Sequence, residues 1–227
     1  MKKTIIITGA SGNLGRIVAK RFLTANYRVW GTVHHASKEK QTDNDYTEVV
    51  LDLSDENTTN EFVQQVVKKD GVVNVAVMAA GGYQQGALHE TFKPDLLQQI
   101  DLNFITAYNI VRPIFEQMKK QKSGRLFLIG SKPGMEMQHA KSSIAYGLSK
   151  SLIFRLAELL NAEAGKDNIV TSVIVPGTID TPENRKAMPG TDTSTWVTAA
   201  EIADIIYFYS SEAANSLRQP IIKAFNS

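Results

Sequence analysis

The chain has 227 residues, a length that suits one α/β domain with a sizeable core. Hydrophobic residues make up 43% and charged residues 21%, as in an ordinary globular protein. The formal charge of +2, with Lys and Arg interleaved among acids, indicates no nucleic-acid partner. The absence of cysteine excludes disulfides, thiol catalysis and thiolate metal sites, and no segment approaches the roughly 20 apolar residues of a membrane span. We expect a cytoplasmic protein.

The predicted elements alternate between short β-branched runs and longer segments of helical periodicity. The fourth run is apolar apart from Asn74, as expected for a strand buried on both faces. Ser54 or Asp55 can cap the second helix, Pro94 opens a long third one, and Thr198 with Glu201 forms a capping box for the last. Strands are predicted at residues 3–8, 28–34, 48–51, 72–80, 125–129, 169–175 and 221–225, and long helices at about 94–120 and 143–164.

This alternation predicts a single α/β domain over residues 1–227, with a doubly wound, mostly parallel sheet of the Rossmann type. Right-handed crossovers place helices on both faces of such a sheet. Its ligands bind beyond the carboxyl ends of the strands. We therefore expect the chemically informative residues directly after strands.

The turn after the first strand has the composition of a dinucleotide phosphate site. Gly9 permits a tight turn, Gly12 a close backbone approach to a pyrophosphate, and Gly15 close packing of the helix on the sheet. The helix N-terminus supplies unpaired N–H groups for the anion. No Gly-Lys-Ser/Thr follows, so this is not a P-loop, and a turn without a ligand is the alternative. The candidate residues are Gly9, Ser11, Gly12, Asn13, Leu14 and Gly15.

The end of the second strand bears on the choice of dinucleotide. In dinucleotide folds an acid near this point binds the ribose 2′-hydroxyl, but His34 and His35 stand here and no acid follows until Glu39. A carboxylate at this point would repel a 2′-phosphate; because none is present, NADP(H) is slightly favoured over NAD(H). We expect no metal site, because successive strand side chains point to opposite faces, and His89 and His139 lack ligand spacing.

A tyrosine and a lysine four residues apart give the candidate catalytic pair. On a helix, Tyr146 and Lys150 share one face. A phenol is a poor acid–base group at neutral pH, but a nearby ammonium and an oxidised nicotinamide both favour phenolate. Ser131, just after the fifth strand, can hold the substrate oxygen. The spacing alone would fit many ordinary amphipathic helices; the order of turn, serine and pair makes it informative.

The motifs in this order resemble those of the short-chain dehydrogenase/reductase family over essentially the whole chain. The matching positions are residues 8–15, 51–55, 79–81, Asn103, 129–131, 146–150 and 176–181. The resemblance implies an NAD(P)-dependent oxidoreductase that moves a hydride between the nicotinamide and a carbonyl, alcohol or imine carbon. It also implies a homodimer or homotetramer formed through the two long helices. The apolar positions of these helices extend around more of the helix circumference than one face buried against the sheet needs.

The same resemblance implies a role for each matching residue. Tyr146 would be the general acid/base, Lys150 would lower its pKa and hold the nicotinamide ribose, and Ser131 would bind the carbonyl or alkoxide oxygen. Asn103 would fix a water in a proton relay. The further implied cofactor contacts are Asp52 and Leu53 at the adenine, Ala80, Gly81 and Gly82 along the adenosine ribose, and Pro176, Gly177, Ile179 and Thr181 around the nicotinamide. The alternatives are a helix cap for Asp52, an exposed helix position for Asn103 and a plain turn at Pro176 and Gly177.

At two positions the sequence departs from the usual family pattern and resembles one subgroup, the dihydropteridine reductases. Asn13 stands where a glycine is usual, and Met78-Ala79-Ala80-Gly81 replaces Asn-Asn-Ala-Gly. The Gly81-Gly82-Tyr83 segment and residues 180–189 with Trp196 also resemble that subgroup, although its members generally lack a serine at the position of Ser131 and carry an acid at that of His34. A pterin reductase is therefore an alternative, and residues 181–197 are predicted to form a substrate lid that is mobile without ligand.

Two further functions are alternatives to an oxidoreductase. A dinucleotide-sensing regulator on the same fold would bind cofactor without turnover, but it would not need Ser131, Tyr146 and Lys150 together. An esterase-like hydrolase has little support, because the Gly-x-Ser-x-Gly elbow is absent around Ser131. The expected partner is a small-molecule substrate.

Overall fold

The computed structural model describes residues 2–36 and 43–225, and its main feature is a parallel sheet. Seven strands of this part pair in the order β3-β2-β1-β4-β5-β6-β9, and β7 pairs with β8 in a separate two-stranded ribbon. The predicted doubly wound fold is confirmed. The strands are β1 (Thr4–Thr8), β2 (Arg28–Val33), β3 (Tyr46–Val50), β4 (Val75–Met78), β5 (Ser123–Ile129), β6 (Asn168–Pro176), β7 (Ile179–Asp180), β8 (Val197–Thr198) and β9 (Ile221–Ala224).

Helices cover both faces of the sheet. They are α1 (Asn13–Thr24), α2 (Glu56–Asp70), α3 (Lys93–Ile100), α4 (Thr106–Gln121), α5 (Lys132–Met135), α6 (Ile144–Ala164), α7 (Pro182–Ala187) and α8 (Ala199–Ser210). Within the described ranges, no helix is both long and apolar enough to cross a membrane.

The core consists of two apolar clusters, one on each face of the sheet. Ile6 belongs to the cluster under α2, α4 and α6, whereas Ile5 and Ile7 belong to the cluster under α1 and α8. All three isoleucines are fully buried. Alternate side chains of one strand therefore pack into opposite clusters, which explains why β1 has three isoleucines in succession.

Several predicted boundaries change in the structure. The predicted strand at 72–80 narrows to β4, and the long third helix is interrupted by a π-helical turn, Asp101–Ile105, between α3 and α4. Asp55 rather than Ser54 caps α2, since its carboxylate accepts hydrogen bonds from the backbone N–H groups of residues 57 and 58 at 2.9 and 3.1 Å. The capping box of Thr198 and Glu201 is confirmed.

Candidate active site

The glycine-rich turn between β1 and α1 is shaped by close backbone contacts. Gly9 has a φ of +63°, and a Cβ there would lie 3.0 Å from the backbone of Ala80 on the neighbouring strand end. A Cβ on Gly15 would lie 2.2 Å from the carbonyl oxygen of Gly9. Gly12 is the N-cap of α1 and has no side chain with which to cap it, so the first N–H groups of the helix stay available to an anion.

A cleft of about 820 Å³ opens beyond this turn, at the carboxyl ends of β1 to β4. Thr32 lines it, and the buried Oγ1 of Thr32 has no hydrogen-bond partner among the described residues. The volume, the backbone cradle and this orphaned hydroxyl suit a nicotinamide dinucleotide. Of the residues predicted from the sequence, the cleft brings together Gly9, Ser11, Gly12, His34, Asp52, Leu53, Ala80 and Gly81.

Asp52 presents an ionised carboxylate at this cleft. It accepts hydrogen bonds from the backbone N–H and the hydroxyl of Ser54, at 2.9 and 2.7 Å. The backbone hydrogen bond from Ser54 has the largest effect, and together with the hydroxyl bond it holds the pKa of Asp52 below its usual value. His34 lowers this pKa further. Because Asp55 caps α2, Asp52 is not the cap of that helix.

The side chains of His34 and His35 lie together, contrary to the sequence argument. The predicted strand ran to His34, but β2 ends at Val33, and the two exposed rings lie with centroids 4.4 Å apart. The prediction that they point to opposite faces is wrong, because strand alternation stops where the strand ends. In residues 2–36 and 43–225, no group of three or more His, Asp or Glu side chains has the arrangement of a metal site.

The predicted catalytic residues meet at the start of α6. The hydroxyl groups of Ser131 and Tyr146 are hydrogen-bonded to each other. Ser131 caps α5, and its Oγ accepts the backbone N–H of Gly134 at 3.1 Å. A Cβ on Gly134 would lie only 2.6 Å from the Cβ of Lys150, so this glycine lets α5 pack against α6 and fixes the serine beside the tyrosine.

Burial controls the protonation of the pair. It raises the pKa of Tyr146, the hydrogen bond from Ser131 lowers it, and Tyr83 raises it. Lys150 is not among the groups that shift the pKa of the phenol here, and its implied role in lowering that pKa stays a prediction. Lys150 is buried, which lowers its pKa to about 8, and its Nζ donates to the carbonyl oxygen of Ile129 at 2.9 Å. At neutral pH the phenol is protonated and the lysine is still charged.

Asn103 lies inside the π-helical turn and is 1% exposed, so it is not a surface helix residue. Its Nδ2 donates to the carbonyl oxygen of Gly82 at 3.0 Å, to Oε1 of Gln99 at 3.1 Å and to Oγ of Ser149 at 3.2 Å. Its Oδ1 accepts the N–H of Gly82 at 3.0 Å. Sequence reasoning did not single out Gln99 or Ser149; the four-residue spacing of Gln99 and Asn103 is the signal that could have found the first.

Gly81 joins the cleft to the catalytic pair. Its φ is +151°, and a Cβ there would lie 2.6 Å from Oδ1 of Asn103 and 3.4 Å from Nζ of Lys150. Tyr83, two residues further along the chain, is 62% exposed and packs edge-on against Tyr146, with ring centroids 5.0 Å apart. The sequence indicated Tyr83 only through the resemblance to dihydropteridine reductases. Its position five residues after the end of β4 is a signal that could have placed it at the site.

The residues predicted to line the nicotinamide follow β6 and lead into the predicted lid. Pro176 ends β6, and a Cβ on Gly177 would lie 2.8 Å from the Cβ of Phe225. Ile179 pairs with Val197 across β7 and β8, which closes the predicted lid at its base. Sequence reasoning missed both this ribbon and α7, a helix within the lid.

Helix α7 contacts the phosphate turn. Thr181 caps it by accepting the N–H of Asn184 at 3.1 Å. The Nδ2 of Asn13 donates to Oε2 of Glu183 at 2.5 Å, which joins α7 to the first turn of α1. Leu14 is buried in the cluster under α1, so only its backbone is available to an anion.

Comparisons with known proteins agree with this geometry. The family model described as short chain dehydrogenase matches residues 3–191. Acetoacetyl-CoA reductase of Acinetobacter sp. (strain RA3849) is 30% identical over 190 residues, 80% of this chain and 76% of that protein. Dihydropteridine reductase of Dictyostelium discoideum is 27% identical over 217 residues, 94% and 90% of the two chains. The structure of ElxO with NADP bound has a TM-score of 0.90 and 27% identity, covering 98% and 97%.

The match to the family model spans more than half of the chain, and the site has the serine, tyrosine, lysine and nucleotide cradle that the chemistry requires. The chain belongs to the short-chain dehydrogenase family and is an NAD(P)-dependent oxidoreductase of alcohol and carbonyl groups.

Proposed function

We propose that this protein is an NADPH-dependent reductase of small-molecule carbonyl compounds. The observation that carries the proposal is the hydrogen bond between Ser131 and a Tyr146 whose burial keeps the phenol protonated. A protonated phenol is a general acid, which is the group that carbonyl reduction needs. Gly81 lines a cleft of nucleotide size, and a Cβ on this glycine would lie 3.4 Å from Nζ of Lys150.

Each residue of this site has a defined role in the proposed reaction. The reduced nicotinamide supplies a hydride when bound. Ser131 and Tyr146 hold the carbonyl oxygen of the substrate by hydrogen bonds, and Tyr146 gives that oxygen its proton. Lys150 provides positive charge next to the phenol and replaces the lost proton through water, and Asn103 fixes the strand-end loop by its bonds to Gly82.

The cofactor contacts are proposed from the two sides of the cleft. The turn residues Gly9 to Gly15 hold the diphosphate, Asp52 and Leu53 the adenine, and residues 80–82 the adenosine ribose. Residues 176–179 and Thr181 line the nicotinamide end. The choice of NADPH rests on the missing acid at His34 and on the NADP found in the similar structure of ElxO.

Residues 181–197 are proposed as the substrate lid. The ribbon of Ile179 and Val197 holds both ends together, and the ion pair of Arg185 with Asp180, at 2.6 and 2.7 Å, braces α7. The bond of Asn13 to Glu183 seats the lid on the phosphate turn. A lid fixed at its base and resting on the turn closes over the nicotinamide end and excludes water.

A pterin is the second candidate substrate class. The exposed ring of Tyr83 beside Tyr146 offers a flat surface to a planar heterocycle, and the similarity to a dihydropteridine reductase covers nearly the whole chain. Ser131 suits a carbonyl oxygen, which favours the first class.

The test is the loss of nicotinamide absorbance with NADPH and with NADH. The panel contains β-ketoacyl thioesters, simple ketones, aldehydes and a quinonoid dihydropterin. We expect turnover of a ketone or thioester with NADPH. Turnover of the pterin alone would move the assignment to the second class. Tight NADPH binding without turnover of any member would favour a dinucleotide sensor.

The rate of reduction is expected to depend on pH through Lys150. Its pKa of about 8 is lowered by burial, so the ammonium is present below that pH and is lost as the pH rises through it. The pKa of Tyr146 is raised above its ordinary value, so the phenol does not titrate in this range. We expect kcat/KM to fall above about pH 8, whereas the weaker activity of Lys150→Arg should show no such fall. An identical fall in Lys150→Arg would assign it to another group.

We also propose a homodimer or homotetramer through α4 and α6. Leu148 and Leu159 lie three turns apart on one face of α6 and are 42% and 68% exposed, and Tyr108 on α4 is 43% exposed. Such apolar side chains in a row are typical of a surface between subunits. Light scattering should give a mass of at least twice 25.0 kDa, and a monomer at micromolar concentration would contradict the proposal.

A further inference from the structure

The end of the sheet opposite the nucleotide cleft holds a buried arginine without a negatively charged partner. Arg125 lies near the start of β5 and is 8% exposed. Its guanidinium donates to the carbonyl oxygens of Gly124 and Asn168 at 2.9 and 2.8 Å, and to Oδ1 of Asn168 at 3.1 Å. It also donates to the carbonyl oxygen and Oδ1 of Asn215 at 3.3 and 3.0 Å. Every acceptor that the described residues offer to Arg125 is therefore a neutral oxygen.

A second guanidinium uses the same acceptors. Arg218 donates to Oδ1 of Asn168 at 3.0 Å and to the carbonyl oxygen of Asn215 at 2.8 Å, two atoms that Arg125 also contacts. A single oxygen atom thus separates two positive charges. Burial first, and the charge of Arg218 second, lower the pKa of Arg125. Because a buried charge is costly until an opposite charge compensates it, this position favours an anion.

A hollow of about 120 Å³ adjoins Arg125 at the amino ends of β4, β5 and β6. Lys3 and Tyr27 line it as well. Within the described ranges, the Nε–H of Arg125 and the hydroxyl of Tyr27 have no hydrogen-bond partner. A guanidinium, an ammonium and a phenol therefore line a space of about four water volumes, which is enough for one tetrahedral oxyanion.

Glu212 is the only acidic residue among those that line the hollow. Its side chain is 94% exposed and lies 3.6 Å from Nζ of Lys3, which is longer than a hydrogen bond. Solvent screens so exposed a pair, so an anion in the hollow can displace Glu212 from Lys3. The three cations Arg125, Arg218 and Lys3, less this one carboxylate, give a net charge of +2 that complements a phosphate dianion.

We propose that this hollow binds a phosphate dianion, either free or at the end of a small phosphomonoester. Arg125, Lys3 and Tyr27 donate hydrogen bonds to its oxygens, and Arg218 adds positive charge from behind the shared acceptors. Since the bonds of Arg125 join β5 to β6 and to Asn215, ahead of β9, a bound phosphate stabilises this end of the sheet. The site lies at the amino ends of the strands, so it does not depend on the proposed cofactor.

Calorimetry at constant ionic strength, with inorganic phosphate and with glycerol 3-phosphate, tests the site. Saturating NADPH fills the nucleotide cleft, so that the glycine-rich turn does not contribute. We expect one phosphate per chain and a rise in Tm of about 4 °C at ten times the Kd. Tighter binding of inorganic phosphate identifies free phosphate as the ligand, and tighter binding of glycerol 3-phosphate identifies a phosphomonoester. Binding of neither compound overturns the inference.

Variants of the lining residues locate the bound phosphate. Tyr27→Phe removes one hydroxyl and keeps the ring, and Lys3→Gln removes one exposed charge; each should weaken binding about tenfold. Glu212→Gln removes the competing carboxylate and should strengthen binding severalfold. Tyr46→Phe and Lys20→Gln are the matched controls, because neither residue lines the hollow, and they should bind phosphate as the intact protein does.

Two results separate this site from others. Binding that Tyr27→Phe and Lys3→Gln leave unchanged, or that the control variants weaken equally, indicates an adventitious ion only and overturns the inference. If NADPH does not bind, the proposed function fails, whereas the same variants still decide the phosphate site because they leave the glycine-rich turn intact. An unchanged circular dichroism spectrum shows that each variant is folded.

Discussion

Replacing Tyr146 by phenylalanine is expected to lower kcat for carbonyl reduction by about 10²–10⁴-fold. The change removes only the hydroxyl that is hydrogen-bonded to Ser131, so the substrate oxygen loses both a donor and its proton source. Binding of NADPH should change little, because the cleft is lined by other residues. Steady-state loss of nicotinamide absorbance gives kcat, and calorimetry gives the dissociation constant of NADPH.

Tyr83→Phe is the matched control for this variant. It also removes one phenolic hydroxyl, from the ring that packs edge-on against Tyr146. It keeps the aromatic contact and leaves the bond between Ser131 and Tyr146 in place, so kcat should stay within about threefold. If Tyr146→Phe turned over any accepted substrate as fast as the unaltered protein, Tyr146 would not be the general acid.

The sequence predicted the parts of the site that depend on strand ends. Gly9 and Gly15 revealed the phosphate turn because neither position has room for a side chain: Gly9 lies against the backbone of Ala80, and Gly15 lies against the carbonyl group of Gly9. Tyr146 and Lys150 were found because a four-residue spacing places both on one face of a helix. These are local signals, which a single sequence carries without an alignment.

Longer-range features of the site were not predictable in the same way. The π-helical turn that buries Asn103 has no separate periodicity, and its stabilising partners Gly82 and Ser149 lie in other parts of the chain. Whether the side chains of His34 and His35 lie on the same side depends on where β2 ends. A one-residue error in that boundary gave the wrong prediction for their relative orientation. The raised pKa of Tyr146 follows from tertiary burial, which the spacing of two residues does not encode.

Asp70 is the clearest case of a residue whose role the sequence hides. It ends α2, where a negative charge opposes the helix dipole, so local rules would exclude it. Its side chain is 2% exposed and accepts hydrogen bonds from Nε1 of Trp30 at 2.8 Å and Oγ1 of Thr4 at 3.2 Å, and it pairs with Arg28. It therefore ties α2 to β1 and β2 at the end of the sheet opposite the cleft.

Replacing Asp70 by alanine is expected to lower the free energy of unfolding by about 3 kcal/mol. The variant leaves the buried indole N–H of Trp30 and the hydroxyl of Thr4 without their acceptor, and it leaves Arg28 without its partner. Denaturant unfolding followed by tryptophan fluorescence and circular dichroism gives the change. Asp70→Asn, which keeps an acceptor oxygen but loses the charge, should lose roughly half as much.

Asp204→Ala is the control that separates the effect of burial on stability from the effect of losing an ion pair. Asp204 pairs with Arg21 at 2.6 Å, as Asp70 pairs with Arg28, but its side chain is 65% exposed. Solvent screens such a pair, so the loss should stay within about 0.5 kcal/mol. If Asp70→Ala and Asp204→Ala cost the same, the buried bonds to Trp30 and Thr4 do not stabilise the fold. If Asp70→Ala does not accumulate as folded protein, the comparison of Asp70→Asn with Asp204→Asn decides the same question, because the buried position should still lose more.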